Sequence, residues 1–323
     1  MIDRAVCAIL AGFLLDLLAG DPHWLYHPVR LVGKLISATE KNLRRWFPKT
    51  DKGERLAGFF LVLIVSGVTM GVPSLLLWLV SRWGRPGAFI IETILCYQLF
   101  ALRSLKEESM KVYHELKHRN LSGARKAVSM IVGRDTENLD EAGVTRAAVE
   151  TVAENTSDGI VAPLLFLAIG GAPLGFFYKA VNTMDSMLGY VEMPYKHIGL
   201  VPAKMDDVMN FIPSRLSALL MLLAGGILRL DVKNGWKIFQ RDRYNHASPN
   251  SAQTESVCAG LLGLRLAGDA YYHGQLHKKK YIGDALREVE YEDIPRSCRL
   301  LYVTAMLSLI LFGGLKFLFL VVI

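Results

Sequence analysis

The chain is poor in cysteine, with four in 323 residues at positions 7, 96, 258 and 298, and no two stand at metal-knuckle or redox spacing. Cys7 and Cys96 fall in apolar runs, where a thiol acts as a small hydrophobe, and nothing in the spacing points to disulfides. Three fingerprints are also missing: the GxxxxGK[ST] phosphate loop, the nucleophile elbow, and the dinucleotide GxGxxG that opens a helix. Their absence excludes P-loop ATPases, α/β-hydrolases and Rossmann oxidoreductases, so any use of ATP here dispenses with a P-loop. The first apolar run runs straight into a polar, His-containing string with no small-residue cleavage site, and it reads as an uncleaved segment. No internal repeat, low-complexity tract or soluble second domain stands out, and residues 1–323 read as one integral membrane domain.

What the chain does contain is apolar surface in excess. Hydrophobic residues make up 52% of it and mean hydropathy is +0.29, more than a soluble domain of this length buries. Charge is segregated into polar stretches rather than spread along the chain. The clearest spans are 56–79, 87–102 and 300–323. Two further runs, 160–181 and 216–230, are broken, and 5–20 is short and carries Asp16. The fold class expected is all-α: a polytopic helical membrane protein with about five spans, broken or re-entrant segments and helical loops at about 21–55, 103–158, 182–215 and 231–299. In the run 160–181, Pro163, Gly170, Gly171 and Pro173 leave a simple span and a broken or re-entrant helix both open. Glu92, inside 87–102, is expected to turn inward to a partner. The net charge of +7 follows the positive-inside rule better than it suggests nucleic acid. The basic loop 21–55 is therefore placed in the cytoplasm.

Four strings carry chemistry. In 133–158, Glu150, Glu154 and Asp158 fall at i, i+4 and i+8, stacking three carboxylates on one helix face where a cation such as Mg²⁺ would relieve repulsion. The bland alternative is a solvated acidic face with Arg146 as the partner of Glu150. Ser122 is expected to cap a short helix ending at Gly133, and another helix is expected from about Asp140 to Asn155. Lys179, Asn182 and Asp185 lie about one turn apart, followed by Asp206, Asp207, Asn210 and Arg215. The pairs His23/His27, His114/His118 and His273/His277 share i, i+4 spacing without a third zinc ligand, and the last two read as surface pairs. The fourth string holds Arg241, Asp242, His246, Asn250 and Glu255 ahead of a Gly-rich tail.

Taken in order, GDPHWLYHPVRLVG (20–33), GRDT (133–136), AAVETVAENTSDGIVAPLLF (147–166), YKAVNTMDSMLGY (178–190), DDVMNFIPSRL (206–216) and HASPNSAQTESVCAGLLGLRLAG (246–268) resemble the CobD/CbiB family of cobalamin biosynthesis proteins along nearly the whole chain. The resemblance implies an inner-membrane, multi-pass, ATP-dependent ligase with its site facing the cytoplasm. It would join a propionate of the corrinoid adenosylcobyric acid to aminopropanol or its O-phosphate, with Mg²⁺ and ATP as companions. It also implies lipid, and a second copy or other late cobalamin-assembly membrane enzymes, as partners, and no nucleic acid. The site residues it implies are Glu150, Glu154, Asp158, Asp185, Asp206 and Asp207 for metal. Arg134, Asp135, Asn155, Asn182, Asn210 and Arg241 would bind nucleotide or substrate. Lys179 and Arg215 would neutralise charge on phosphate or activated carboxylate, and His27 or His246 would act as general base. Two other classes stay open: a corrinoid carrier or AmpE-like membrane sensor without catalysis, and a Mg²⁺-dependent intramembrane prenyl transferase, faintly suggested by NTMD and DDVMN.

Overall fold

The structure, a computed structural model, describes residues 4–22, 27–190, 192–272 and 274–322; His23 and His273 lie outside the described residues. In chain order the helices are α1 (Arg4–Ala19), α2 (Pro28–Trp46), α3 (Asp51–Ser81), α4 (Arg85–Tyr97), α5 (Leu102–Lys117), α6 (Leu121–Val128), α7 (Glu141–Thr156), α8 (Ala162–Leu188), α9 (Leu200–Met209), α10 (Phe211–Ile227), α11 (Val232–Asp242), α12 (Ser251–Leu262) and α13 (Asp293–Val322). A π-helical turn, Ser157–Val161, joins α7 to α8. Two antiparallel strand pairs, β1 (Leu266–Ala267) with β4 (Tyr281–Ile282) and β2 (Ala270–Tyr272) with β3 (Gln275–His277), follow α12.

This is the helical membrane architecture expected. Asp51–Ser81, Arg85–Lys117, Glu141–Leu188 and Asp293–Leu318 are long and apolar enough to cross a membrane, and the pair α9–α10, bent by 46°, would make a fifth. The α3 pattern shows why lipid suits it. Phe59, Leu63, Val72, Leu75 and Trp78 stand exposed, while Ala57, Gly58, Ser66 and Thr69 turn inward. Large side chains outward and small ones at the contact are what helix packing without water favours.

Contacts divide the described chain into two compact units. The first comprises residues 1–101, 162–210 and 311–323, and the second 102–161 and 211–310. Neither is contiguous, so no linker composition marks a boundary. In the first unit the core gathers Ile36, Leu61, Val65, Val181, Met184 and Ile198 from α2, α3, α8 and the turn before α9. The run 160–181 proves broken: Gly170 and Gly171 leave helical geometry inside α8, and Gly171 adopts φ 66° and ψ −164°, a region open to glycine alone. Just before the break, the Ala168 carbonyl accepts a hydrogen bond from Lys316 Nζ at 2.8 Å. Glu92 does turn inward, to Arg4 Nε at 3.0 Å.

In the second unit α5, α6, α7, α11 and α12 enclose Val112, Leu116, Val144, Ala147, Ile238 and Val257. Each such Val, Leu or Ile contributes about 1.5–3 kcal/mol relative to exposure in water. The cap of α6 is Asn120, whose Oδ1 accepts the Gly123 N–H at 3.0 Å. The expected cap, Ser122, sits inside the first turn, and the helix stops at Val128, short of Gly133. For α7 the expectation holds: Asp140 caps it, accepting the Gly143 N–H at 2.6 Å. The strand pairs were not expected in a loop read as helical. Backbone at positive φ in Ala267, Gly268, Gly274 and Gly283 turns the chain back on itself and blocks helix continuation.

Candidate functional site

The second unit contains a cavity of about 150 Å³ whose walls come from two of the strings singled out in the sequence. Arg134, Glu150, Glu154 and Asn155 arrive from the loop before α7 and from α7 itself, and His246 and Glu255 from the loop before α12 and from α12. Tyr272 and Lys279 complete the wall from the strand segment. Nothing in the sequence marks these last two, because the short strand segment after α12 carries no motif and its side chains meet the site only through tertiary contact.

Glu150 is the most tightly held member. One oxygen pairs with Arg134 Nη2, and the other accepts the Ala267 N–H at 2.7 Å. Arg134 is desolvated, yet the Glu150 carboxylate and its hydrogen bond outweigh that and hold the guanidinium's pKa above its usual value. Glu255 is fully buried, and burial, then the charges of Glu154 and Glu150, push its pKa well above the usual carboxylate range. It therefore holds its proton further toward neutral pH than an ordinary glutamate. Among the described residues, Glu154's carboxylate oxygens make no hydrogen bond, so it faces the cavity ready for a ligand.

His246 is buried, and that desolvation holds its pKa below 6.5 despite the opposing charge of Glu154. Its Nδ1 accepts the Ser248 N–H at 3.1 Å, so the neutral ring carries its proton on Nε2. In this geometry the ring offers its Nε2–H as a donor and leaves no basic nitrogen open. His27, in the first unit, repeats the arrangement: Nδ1 accepts the Val29 N–H at 3.2 Å, and burial lowers its pKa. Asp21 opposes that shift and Lys179 reinforces it.

The remaining candidates fall in three settings. In the first unit, Tyr178 Oη donates to Asn210 Oδ1 at 2.8 Å, Asn210 Nδ2 donates to Asp206 Oδ1 at 3.0 Å, and Asn182 Nδ2 reaches the same oxygen at 3.4 Å. Asp207 pairs with Lys204 at 3.1 Å, and Lys179 and Asp185 lie half-buried along α8. In the second unit, Arg215 stacks on Phe211 and donates to Asn250 Oδ1 at 3.2 Å. Arg241 is held by Asp242 and Asp284, with Nη2 at 2.8 Å and 2.9 Å from their oxygens, so it braces α11 against the loop after β4 and does not line the cavity. Burial raises the pKa of Asp242, but Arg241 and the Gly283 N–H outweigh it and hold it below 3.8.

Asp158 breaks the expected three-carboxylate stack. It lies in the π-turn, whose wider ring shifts the helical phase, and it does not line the cavity with Glu150 and Glu154. Arg146 pairs with Asp140 at 3.9 Å, leaving Glu150 to Arg134. Among the described residues no group of three or more His, Cys, Asp and Glu is placed to hold a metal ion. A Mg²⁺ carried on substrate phosphates needs fewer protein ligands, one or two carboxylates. Glu154 fits that need and Glu150, with both oxygens engaged, does not.

The family model described as CobD/Cbib protein matches residues 9–301. The chain belongs to the CobD/CbiB family. A relative from Clostridium perfringens (strain 13 / Type A), named Cobalamin biosynthesis protein CobD, is 48% identical over 302 residues, covering 94% of this chain and 95% of that one. One from Streptococcus sanguinis (strain SK36), of the same name, is 47% identical over 305 residues, covering 94% and 95%. A Salmonella typhimurium relative, named Cobalamin biosynthesis protein CbiB, is 44% identical over 306 residues, covering 95% and 96%. No solved structure matches the chain. The CobD/CbiB match takes in both strings that build the cavity, 133–155 and 246–268.

Proposed function

We propose that this CobD/CbiB protein acts in cobalamin biosynthesis as an ATP-dependent ligase. It condenses a propionate carboxylate of adenosylcobyric acid with aminopropanol or its O-phosphate. The observation that carries the reading is the meeting, in one cavity, of two family strings about a hundred residues apart, bringing Arg134, Glu154, His246 and Glu255 together.

A carboxylate and an amine do not condense unaided, because oxide is a poor leaving group. Transfer of a phosphoryl group or adenylate from ATP to the carboxylate oxygen, with release of ADP or pyrophosphate, supplies a leaving group; the amine, its ammonium proton lost to water, then displaces it as phosphate or AMP. Both steps move negative charge onto oxygen, and groups already aimed at that charge lower the barrier. Arg134 and Lys279 supply fixed positive charge, and His246 donates from Nε2. Glu255 holds a proton on its carboxyl where a substrate oxygen needs a donor. Mg²⁺ on the nucleotide would neutralise phosphate charge, with Glu154 as the residue here to hold it. Asn155 Nδ2 turns back to the Thr151 carbonyl at 3.0 Å, which leaves its Oδ1 to orient substrate.

The test is direct. The protein in detergent is incubated with adenosylcobyric acid, MgATP and aminopropanol phosphate, and separately with aminopropanol. A product heavier by the amine less one water, formed only with ATP, is expected. No product with either amine, from folded protein that binds the corrinoid, would replace the ligase by a carrier.

A further inference from the structure

Beside the glutamate cavity, within the same unit, lies a second and larger one of about 950 Å³. Small-molecule sites run to roughly 300–1,000 Å³. By that measure the 150 Å³ cavity holds a reacting group and no more, whereas the larger holds the body of a small molecule. Arg134 lines both. One wall of the larger cavity is α6 with Ser122, Arg125 and Lys126, and the facing wall includes Tyr271 and Gly274 of the β2–β3 hairpin. The hairpin is fastened to the loop after Arg134 by two bonds. The Asp135 N–H donates to the Tyr271 carbonyl at 2.8 Å, and Asp135 Oδ2 accepts the Gly274 N–H at 2.7 Å.

The charge on the α6 wall is poised for an anion. Arg125 Nε donates to the Leu139 carbonyl at 2.7 Å, which fixes the plane of the guanidinium. Among the described residues its two terminal nitrogens meet no protein acceptor, and neither does the Lys126 ammonium. A planar fork held at its base beside a point charge on a longer stem matches phosphate oxygens. The cavity also holds acid. Asp135 is occupied by the hairpin, and Glu137 is exposed to solvent.

We propose that this larger cavity binds a phosphate ester, its phosphate oxygens taken by Arg125 and Lys126 and its other end reaching the glutamate cavity past Arg134. The inference deepens the ligase reading, which already takes ATP and a phosphorylated amine, by naming where their phosphate is held, and it rests on that reading. Two sources share this chemistry, a nucleotide and a phosphorylated amine. Binding of ATP and of aminopropanol phosphate to the full-length protein in detergent is measured by calorimetry, with adenosine and aminopropanol as partners lacking phosphate. Wild type binds at least one of the esters, and Lys126→Glu weakens that ester by roughly tenfold or more while leaving its phosphate-free partner unchanged. Adding Arg125→Gln weakens it further. The ester that loses affinity identifies the occupant. Wild type that binds neither ester, or Lys126→Glu that binds both as wild type does, overturns the inference. Because binding is read without turnover, amide synthesis that survives a failed binding test sinks this inference alone. Ester binding without amide synthesis sinks the ligase alone.

Discussion

Two buried glutamates in this protein are each held by an arginine distant in sequence, yet they stand in different company. Glu92, in the first unit, meets Arg4, whose side chain is 41% exposed, among apolar residues of α1 and α4. Glu150, in the second, meets Arg134, whose side chain is 16% exposed, beside Glu154, Glu255, His246 and Lys279 around a cavity. A buried ion pair taken alone says little about function, since its attraction roughly offsets the cost of desolvating both charges. What separates the two is surplus. The first pair closes on itself, whereas the second lies beside a further carboxylate, Glu154, and a buried carboxyl that keeps its proton, Glu255, which the fold holds together at the expense of stability. Functional sites retain that kind of unresolved electrostatics.

Glu154→Gln keeps shape and removes the cavity's uncommitted negative charge; turnover is expected to fall by about a hundredfold or more, with an unchanged melting transition. Near-normal amide synthesis by that variant would end its role. Arg134→Ala strands Glu150 and should lower unfolding stability by about 3–5 kcal/mol, measured by denaturant titration in detergent. The same truncation at Arg4 also strands a buried carboxylate, Glu92, and should cost less than at Arg134, because the Arg4 guanidinium is 41% exposed and gives up less on removal. If Arg4→Ala proves the more damaging, the contrast between the pairs is wrong.

A smaller effect is expected in the first unit. Gly171→Ala places a Cβ on backbone at φ 66° and ψ −164° and should cost about 1–3 kcal/mol, read as a lowered melting temperature. An unchanged value would mean that the break in α8 relaxes into helix. The smallest effect is a pH dependence at Glu255. Its folded pKa lies above the usual 4.5, so between those values the folded state keeps a proton that the unfolded state has released. The stability this contributes is complete below pH 4.5 and drains as pH rises through the folded pKa. Glu255→Gln, which cannot ionise, should match wild type in acid and gain on it as pH rises. A gap that shrinks with rising pH would refute the assignment.

Much of the first unit's character can be read from order and type of residue. Runs of apolar residues predict spans, and Gly170-Gly171 with Pro173 predicts a broken one, because backbone preferences are local. The inward turn of Glu92 follows from the cost of charge in lipid. The cavity is only half legible. Spacing names Glu150 and Glu154, but straight-helix spacing also enrols Asp158, which lies in the π-turn and does not line the cavity. Local sequence also misplaces Arg241, whose two carboxylate partners come together only when the chain after β4 returns to α11.

The sequence alone determined the helical membrane class, the family and the strings that carry chemistry, since hydropathy and motif order survive without coordinates. The tertiary structure decided which members of those strings meet, that Tyr272 and Lys279 join them from the strand segment, that Nδ1 of both His27 and His246 is occupied by a backbone N–H, and that two cavities share Arg134. The reason is physical. Helix and span are set by neighbours within a turn or two, whereas a site's charge, protonation and volume are sums over groups that only folding brings within a few ångströms.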